Sequence, residues 1–88
     1  MKNLNSKKAR KELSDLFNSI QVESWMIDDF LEDMTASRNQ NDWEIHKANF
    51  DRAITNKNNL IIELVEVYGI HHTCYKDIIK EREEQKLA

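Results

Sequence analysis

The apolar positions of the chain fall into helical stripes. Ala9, Leu13, Leu16, Phe17 and Ile20 mark one face of a helix running from about Ser6 to Ile20. A second stretch, Val22, Trp25, Met26, Ile27, Phe30, Leu31 and Met34, is built on i,i+4 pairs, with Asp28, Asp29, Glu32 and Asp33 on the remaining positions. Asn5 or Ser6 is placed to cap the first helix by accepting from an early backbone N–H. Ser24 is placed to cap a separate second helix. The alternative is one helix that continues with a bend near Gln21, since no Gly or Pro forces a break there.

The polar stretch 35–42, Thr-Ala-Ser-Arg-Asn-Gln-Asn-Asp, reads as a loop. Asn41 with Glu44 then reads as a capping box, which starts a third helix at Asp42 or Trp43 and carries it to Tyr68. That helix has two stripes, one of Trp43, Phe50, Ile54, Ile61, Val65 and Tyr68, the other of Ile45, Ala48, Ala53, Leu60, Leu64 and Val67. Its centre, Thr55 to Asn59, is polar all round and marks a place for a kink. The β-rich run Leu60 to Tyr68 is read as helix because no partner strand exists elsewhere in the chain. Gly69 sits where a helix ends in the left-handed conformation, with Ile70 as the hydrophobic contact behind it. A last helix follows from His72 or Thr73 to about Gln85.

The pattern therefore predicts an all-α fold, a small antiparallel bundle of three to four helices with one long third helix. Residues 1–88 form a single domain, with 1–5 as a frayed basic N-terminus. The expected core is Phe17, Ile20, Met26, Phe30, Phe50, Ile54, Ile61 and Val65.

Composition narrows the picture further. The 88 residues include one Gly, no Pro and one Cys. Tight hairpin turns have almost no raw material, and a disulfide framework is ruled out. No apolar run exceeds three residues, as at Leu60 to Ile62, so no membrane-spanning segment is expected. Residues 1–20 hold no apolar segment of the signal-peptide kind, which predicts a cytoplasmic protein. Asn, Lys and Ile occur nine times each, a usage typical of A/T-rich genomes such as those of many bacteriophages.

Charge is unevenly distributed. Residues 1–11 carry five basic side chains and no acid, whereas residues 12–51 carry ten acids against Arg38 and Lys47. Residues 52–88 carry six of each sign. A basic arm therefore leads into an acidic body, and the net charge is −3. That balance argues against a reader of nucleic acid, even though Lys2, Lys7, Lys8, Arg10 and Lys11 are suited to phosphate contacts. An acidic surface that occupies a basic groove fits the charge better.

Catalytic chemistry finds little support. His71, His72 and Cys74 are the one cluster of ligand types, and zinc needs a second pair that the sequence does not offer. Cys74 beside His71 lacks the free backbone donors of an oxyanion hole. The carboxylate pairs Asp28 with Glu32 and Asp29 with Asp33 read as a solvated face, and no glycine-rich phosphate loop is present. No catalytic residue, cofactor or metal is expected.

The motifs of bacteriocin immunity proteins, helical anti-sigma factors and phage inhibitors are not found. Leu16, Asn18 and Ile20 on the first helix, with Trp43, Ile45 and Lys47 on the second arm, resemble phage helical-hairpin proteins that sequester cyclic nucleotide signals. The resemblance covers under half of the chain and transfers no site residue.

The expected function is a small, non-enzymatic regulatory or inhibitory binding protein, phage-encoded and directed at a larger cellular protein with a basic surface. Asp28, Asp29, Glu32 and Asp33 would steer the encounter. Trp25 or Trp43, whichever is exposed, would anchor the complex. The double stripe of the long helix is too wide for one neighbour and predicts a homo-oligomer. The alternative function is a helical oligomer that binds or sequesters a small anionic nucleotide-type ligand.

Overall fold

The computed structural model describes residues 2–87. Among these, the regular structure is helical throughout, in three helices: α1 (Lys7–Ala36), α2 (Gln40–Glu66) and α3 (Tyr75–Leu87). The first two stretches of the sequence pattern are one continuous helix. The spacing explains why: Ala9, Leu13, Leu16, Ile20, Glu23, Ile27, Phe30 and Met34 alternate steps of four and three, so the inward face never changes side. Glu23 is the one polar member, and it hides the continuity from an apolar pattern. Ser19 and Ser24 do not break the helix because each hydroxyl donates back to the carbonyl four residues earlier, on Asp15 and Ile20.

Both long helices start on side-chain caps. Ser6 accepts from the Ala9 N–H at 3.4 Å. At α2 the cap is Asn39, whose Oδ1 accepts from the Asp42 N–H at 2.9 Å. The predicted Asn41–Glu44 box does not form: the cap stands two residues earlier, Asn41 lies inside the helix, and Glu44 accepts from the Gln40 side chain. The polar centre at Thr55 to Asn59 does not interrupt α2. Past the end of α2, Gly69 takes a φ of 70°, and its N–H donates to Val65 at 3.0 Å. A Cβ at that φ costs about 1 kcal/mol. Gly69→Ala is expected to lower the melting temperature by roughly 4–8 °C, measured by thermal denaturation.

The long helix predicted as third is the second, and the third helix is only 13 residues long. The expected bundle is also not closed. α1 packs on α2, α3 packs on α2, and α1 does not meet α3. The molecule is accordingly a long hairpin with a short third helix on one side, 52 × 32 × 16 Å.

Its core lies between the arms. Leu16, Leu64 and Tyr68 form a buried cluster, with Leu4, Leu13, Ile20, Leu60, Val67 and Ile70 packed against it. Ala53, Ile61 and Ile78 are buried as well. The expected core is thus correct at Ile61, while Ile20, Phe30, Phe50, Ile54 and Val65 are half-buried. Phe17 and Met26, expected inside, are 47% and 39% exposed. They stand one position outside the three–four stripe, on opposite shoulders of α1, and α2 is too narrow to cover both.

The start of the chain is held against the end of α2. The Lys2 N–H donates to the Val67 carbonyl at 2.8 Å. Lys2 Nζ pairs with Glu12 and stands 5.6 Å from the centre of the Tyr68 ring. That hydrogen bond is the main cause holding the Glu12 carboxyl below its ordinary pKa and the Lys2 ammonium above its own. Of the basic N-terminal stretch, Met1 lies outside the described residues.

Candidate interaction face on the first helix

Six residues carried the sequence reading of the partner site, and the fold separates them. Trp25 is 58% exposed, on the side of α1 that faces away from α2. Asp28, Asp29 and Glu32 follow it at i+3, i+4 and i+7, and all are exposed. Helical geometry therefore sets three carboxylates around and beyond one indole on a single face. Asp33 is exposed too but leans round the helix, with its Oδ2 3.9 Å from Nδ1 of His46 on α2.

Trp43 does not join that face. It falls in the inward spacing of α2, in step with His46, Phe50 and Ala53, and is half-buried. The anchor role left open between the two tryptophans thus has one exposed candidate, Trp25.

The surplus apolar surface has also moved. α3 covers part of the first stripe of the long helix, setting Ile78 near Ile54. The second stripe turns Ala53, Leu60, Leu64 and Val67 toward α1 and leaves Ile45 and Ala48 exposed. The large apolar side chains that remain exposed lie mostly on α1: Phe17, Val22, Trp25, Met26 and Leu31, with Ile45 on α2 and Leu87 at the end of α3. Sequence reasoning missed the other end of this surface. Lys7, Lys11, Ser14, Asn18 and Gln21 lie on the same outward face as Trp25, at alternating steps of four and three, and every one is exposed. The signal was present in the spacing, but it is carried by polar residues that an apolar stripe does not pick out.

Four clefts among the described residues each hold a cation. One of about 280 Å³ sets Lys2 and Lys8 beside Glu12 without an aromatic ring, and one between the long arms sets Arg52 beside Glu23 and Phe30. A groove between α2 and α3, of about 290 Å³, is lined by Arg82 together with Asp51 and Glu81. Arg82 is already bound to Asn59. Another, of about 310 Å³, combines Lys2 and Tyr68 with Glu12, Asp15 and Glu63. Carboxylates outnumber the cation in the clefts of Arg82 and of Tyr68, so neither of these two favours an anionic ligand. One oxygen of Glu23, Oε2, is buried between the arms without a hydrogen-bond partner.

The His71–Cys74 turn serves the backbone. His72 Nδ1 accepts from the Cys74 N–H at 3.1 Å, which caps the approach to α3. Among the described residues no group of three or more His, Cys, Asp or Glu side chains is placed to hold a metal ion. No helix among them is long and apolar enough to cross a membrane. Comparison with protein-family models, with curated proteins and with solved structures gives no match for this chain.

Proposed function

We propose that the chain is a small, non-enzymatic regulatory or inhibitory binding protein. It acts by occupying a basic surface of a larger cellular protein. The observation that carries this reading is an exposed tryptophan set among carboxylates on the free face of a long helix. Trp25 is 58% exposed, and Asp28, Asp29 and Glu32 share its face. Burying an indole on a partner yields large contact area at low conformational cost, and Trp dominates many interface energies. The carboxylates act earlier, by drawing a basic surface into encounter. The residue usage fits a phage-encoded protein acting in the host cytoplasm.

The nucleotide-binding reading ranks second. It requires a cation and an aromatic ring free of competing carboxylates; the cleft of Lys2 and Lys8 has no ring, and in the cleft of Lys2 and Tyr68 the cation is outnumbered by acids.

The test begins with affinity capture from a lysate of the source cell, followed by association kinetics with the captured protein. Reversing the charge at Asp28, Asp29, Glu32 and Asp33 is expected to slow association about tenfold or more at low salt. The rate should then lose most of its dependence on ionic strength. Unchanged kinetics would reduce these acids to a solvated surface.

A further inference from the structure

We infer that the outward face of α1 pairs antiparallel with the same face of a second copy of this chain. The proposal rests on reading that face as an interface, and it names the occupant of the face when no other partner is present.

The argument is the charge order along one exposed stripe. Its N-terminal end carries Lys7, Arg10 and Lys11, and its C-terminal end carries Asp28, Asp29 and Glu32. Between them lie Ser14, Asn18, Gln21, Val22 and Trp25, with Phe17 at the edge; none of these is covered by α2 or α3. A parallel pairing would set lysine on lysine and aspartate on aspartate. An antiparallel pairing with its two-fold axis between Ser19 and Ile20 does the opposite along the whole length.

In that register Lys7 meets Glu32 of the second copy in the centre of the stripe. Arg10 meets Asp28 on one edge and Lys11 meets Asp29 on the other. Trp25 comes down over Ser14, the small residue of the stripe, with Lys11 and Asn18 on either side. Phe17 lies against Gln21, and Val22 against Asn18. Every contact occurs twice by symmetry, so the interface is self-complementary, as a two-fold dimer demands. Arg10 already donates to the Leu4 and Asn5 carbonyls, at 3.4 and 3.2 Å. Its guanidinium has five donors, which leaves enough for Asp28.

The dimer has a regulatory consequence for the same surface. The basic end of one copy covers the carboxylates and Trp25 of the other, just as a basic partner would. Partner binding then competes with self-association, and the fraction of free sites falls as the chain accumulates.

Two charge variants and their mixture test the proposal by sedimentation. One carries Lys7→Glu and Lys11→Glu, the other Asp29→Lys and Glu32→Lys. Both place charges that favour the α1 dipole, so neither is expected to lose helix, and circular dichroism checks this. The native chain is expected to sediment as a dimer at high micromolar concentration. Each variant alone should self-associate about tenfold or more weakly, since four cross-helix attractions become repulsions. Mixed in equal amounts, they should recover the dimer, because every opposed pair regains opposite signs. The inference is overturned by a native chain that stays at 10.5 kDa. It is equally overturned if each variant dimerises like the native chain, or if the mixture remains monomeric. A monomer that still binds its partner through Trp25 defeats this inference alone. A dimer of the expected charge behaviour, formed by a chain whose captured partner ignores Trp25, upholds it and defeats the functional reading.

Discussion

Replacing Leu64 by Ala should cost more stability than any change to the α1 surface. Leu64 is 1% exposed and packs with Leu16 and Tyr68, where the two long arms and the chain start converge. Truncation removes the apolar transfer term and leaves a cavity that stiff helices fill poorly, for a loss of about 2–5 kcal/mol. Stabilities of small domains are of the same order, so the variant is expected to be partly unfolded near room temperature. Urea denaturation of native and variant chains measures the difference. Phe17→Ala is the control: at 47% exposure it is expected to stay within about 1 kcal/mol of the parent. Equal losses at the two positions would place the core wrongly.

Trp25→Ala should produce the second-largest effect, in binding instead of folding. The side chain is 58% exposed, so its removal is expected to move stability by no more than about 0.5 kcal/mol. As the anchor of an interface it should contribute 2 kcal/mol or more, equivalent to about a thirtyfold weaker Kd for the captured partner. Calorimetric titration of the two chains against that partner gives the ratio. Trp43→Phe should behave in the reverse way, since Trp43 belongs to the seam between the arms: a measurable loss of stability with partner affinity retained.

The fold and the candidate face differ in how legible they were. Helical class, a break within the polar stretch before α2 and the stop at Gly69 follow from local chemistry, because spacing, capping groups and one glycine act over a few residues. The loop expected over 35–42 is only 37–39, since Thr35 and Ala36 finish α1 and Gln40 to Asp42 open α2. The junction of the first two stretches was unreadable for a particular reason. Glu23 occupies an inward position where the pattern expects an apolar residue, and only the packed α2 reveals that the stripe passes through it. Phe17 shows the complementary error. It belongs to an apolar stripe one residue wider than the neighbour that covers it, and the width of that neighbour is a tertiary fact. The same holds for the long helix, whose two stripes are divided between two neighbours: α3 lies against Ile54 of the first, and α1 packs on Ala53, Leu60 and Leu64 of the second.

For the interaction face, the sequence supplied the acids and two tryptophans but not which of them share a side. Trp25 with Asp28, Asp29 and Glu32 follows from α1 being continuous and α2 lying opposite. Asp33 and Trp43 were equally good candidates by type, and they are set apart by their turn around the helix axis. The basic end of the stripe was visible as a charge run. Its alignment with Trp25 depends on an unbroken helix from Lys7 to Ala36.

The central claim is that Trp25 is buried when the chain binds its target, and the fluorescence of that residue measures it most directly. With Trp43→Phe, Trp25 becomes the only tryptophan. Biosynthetic replacement of the Trp25 indole by 5-hydroxyindole lets it be excited at wavelengths where the partner's own tryptophans do not absorb, and the captured partner is titrated into the chain at a concentration where the chain is monomeric. The account predicts that emission moves to shorter wavelength and that quenching by acrylamide is lost as the complex forms. A complex that forms with emission and quenching unchanged would contradict it.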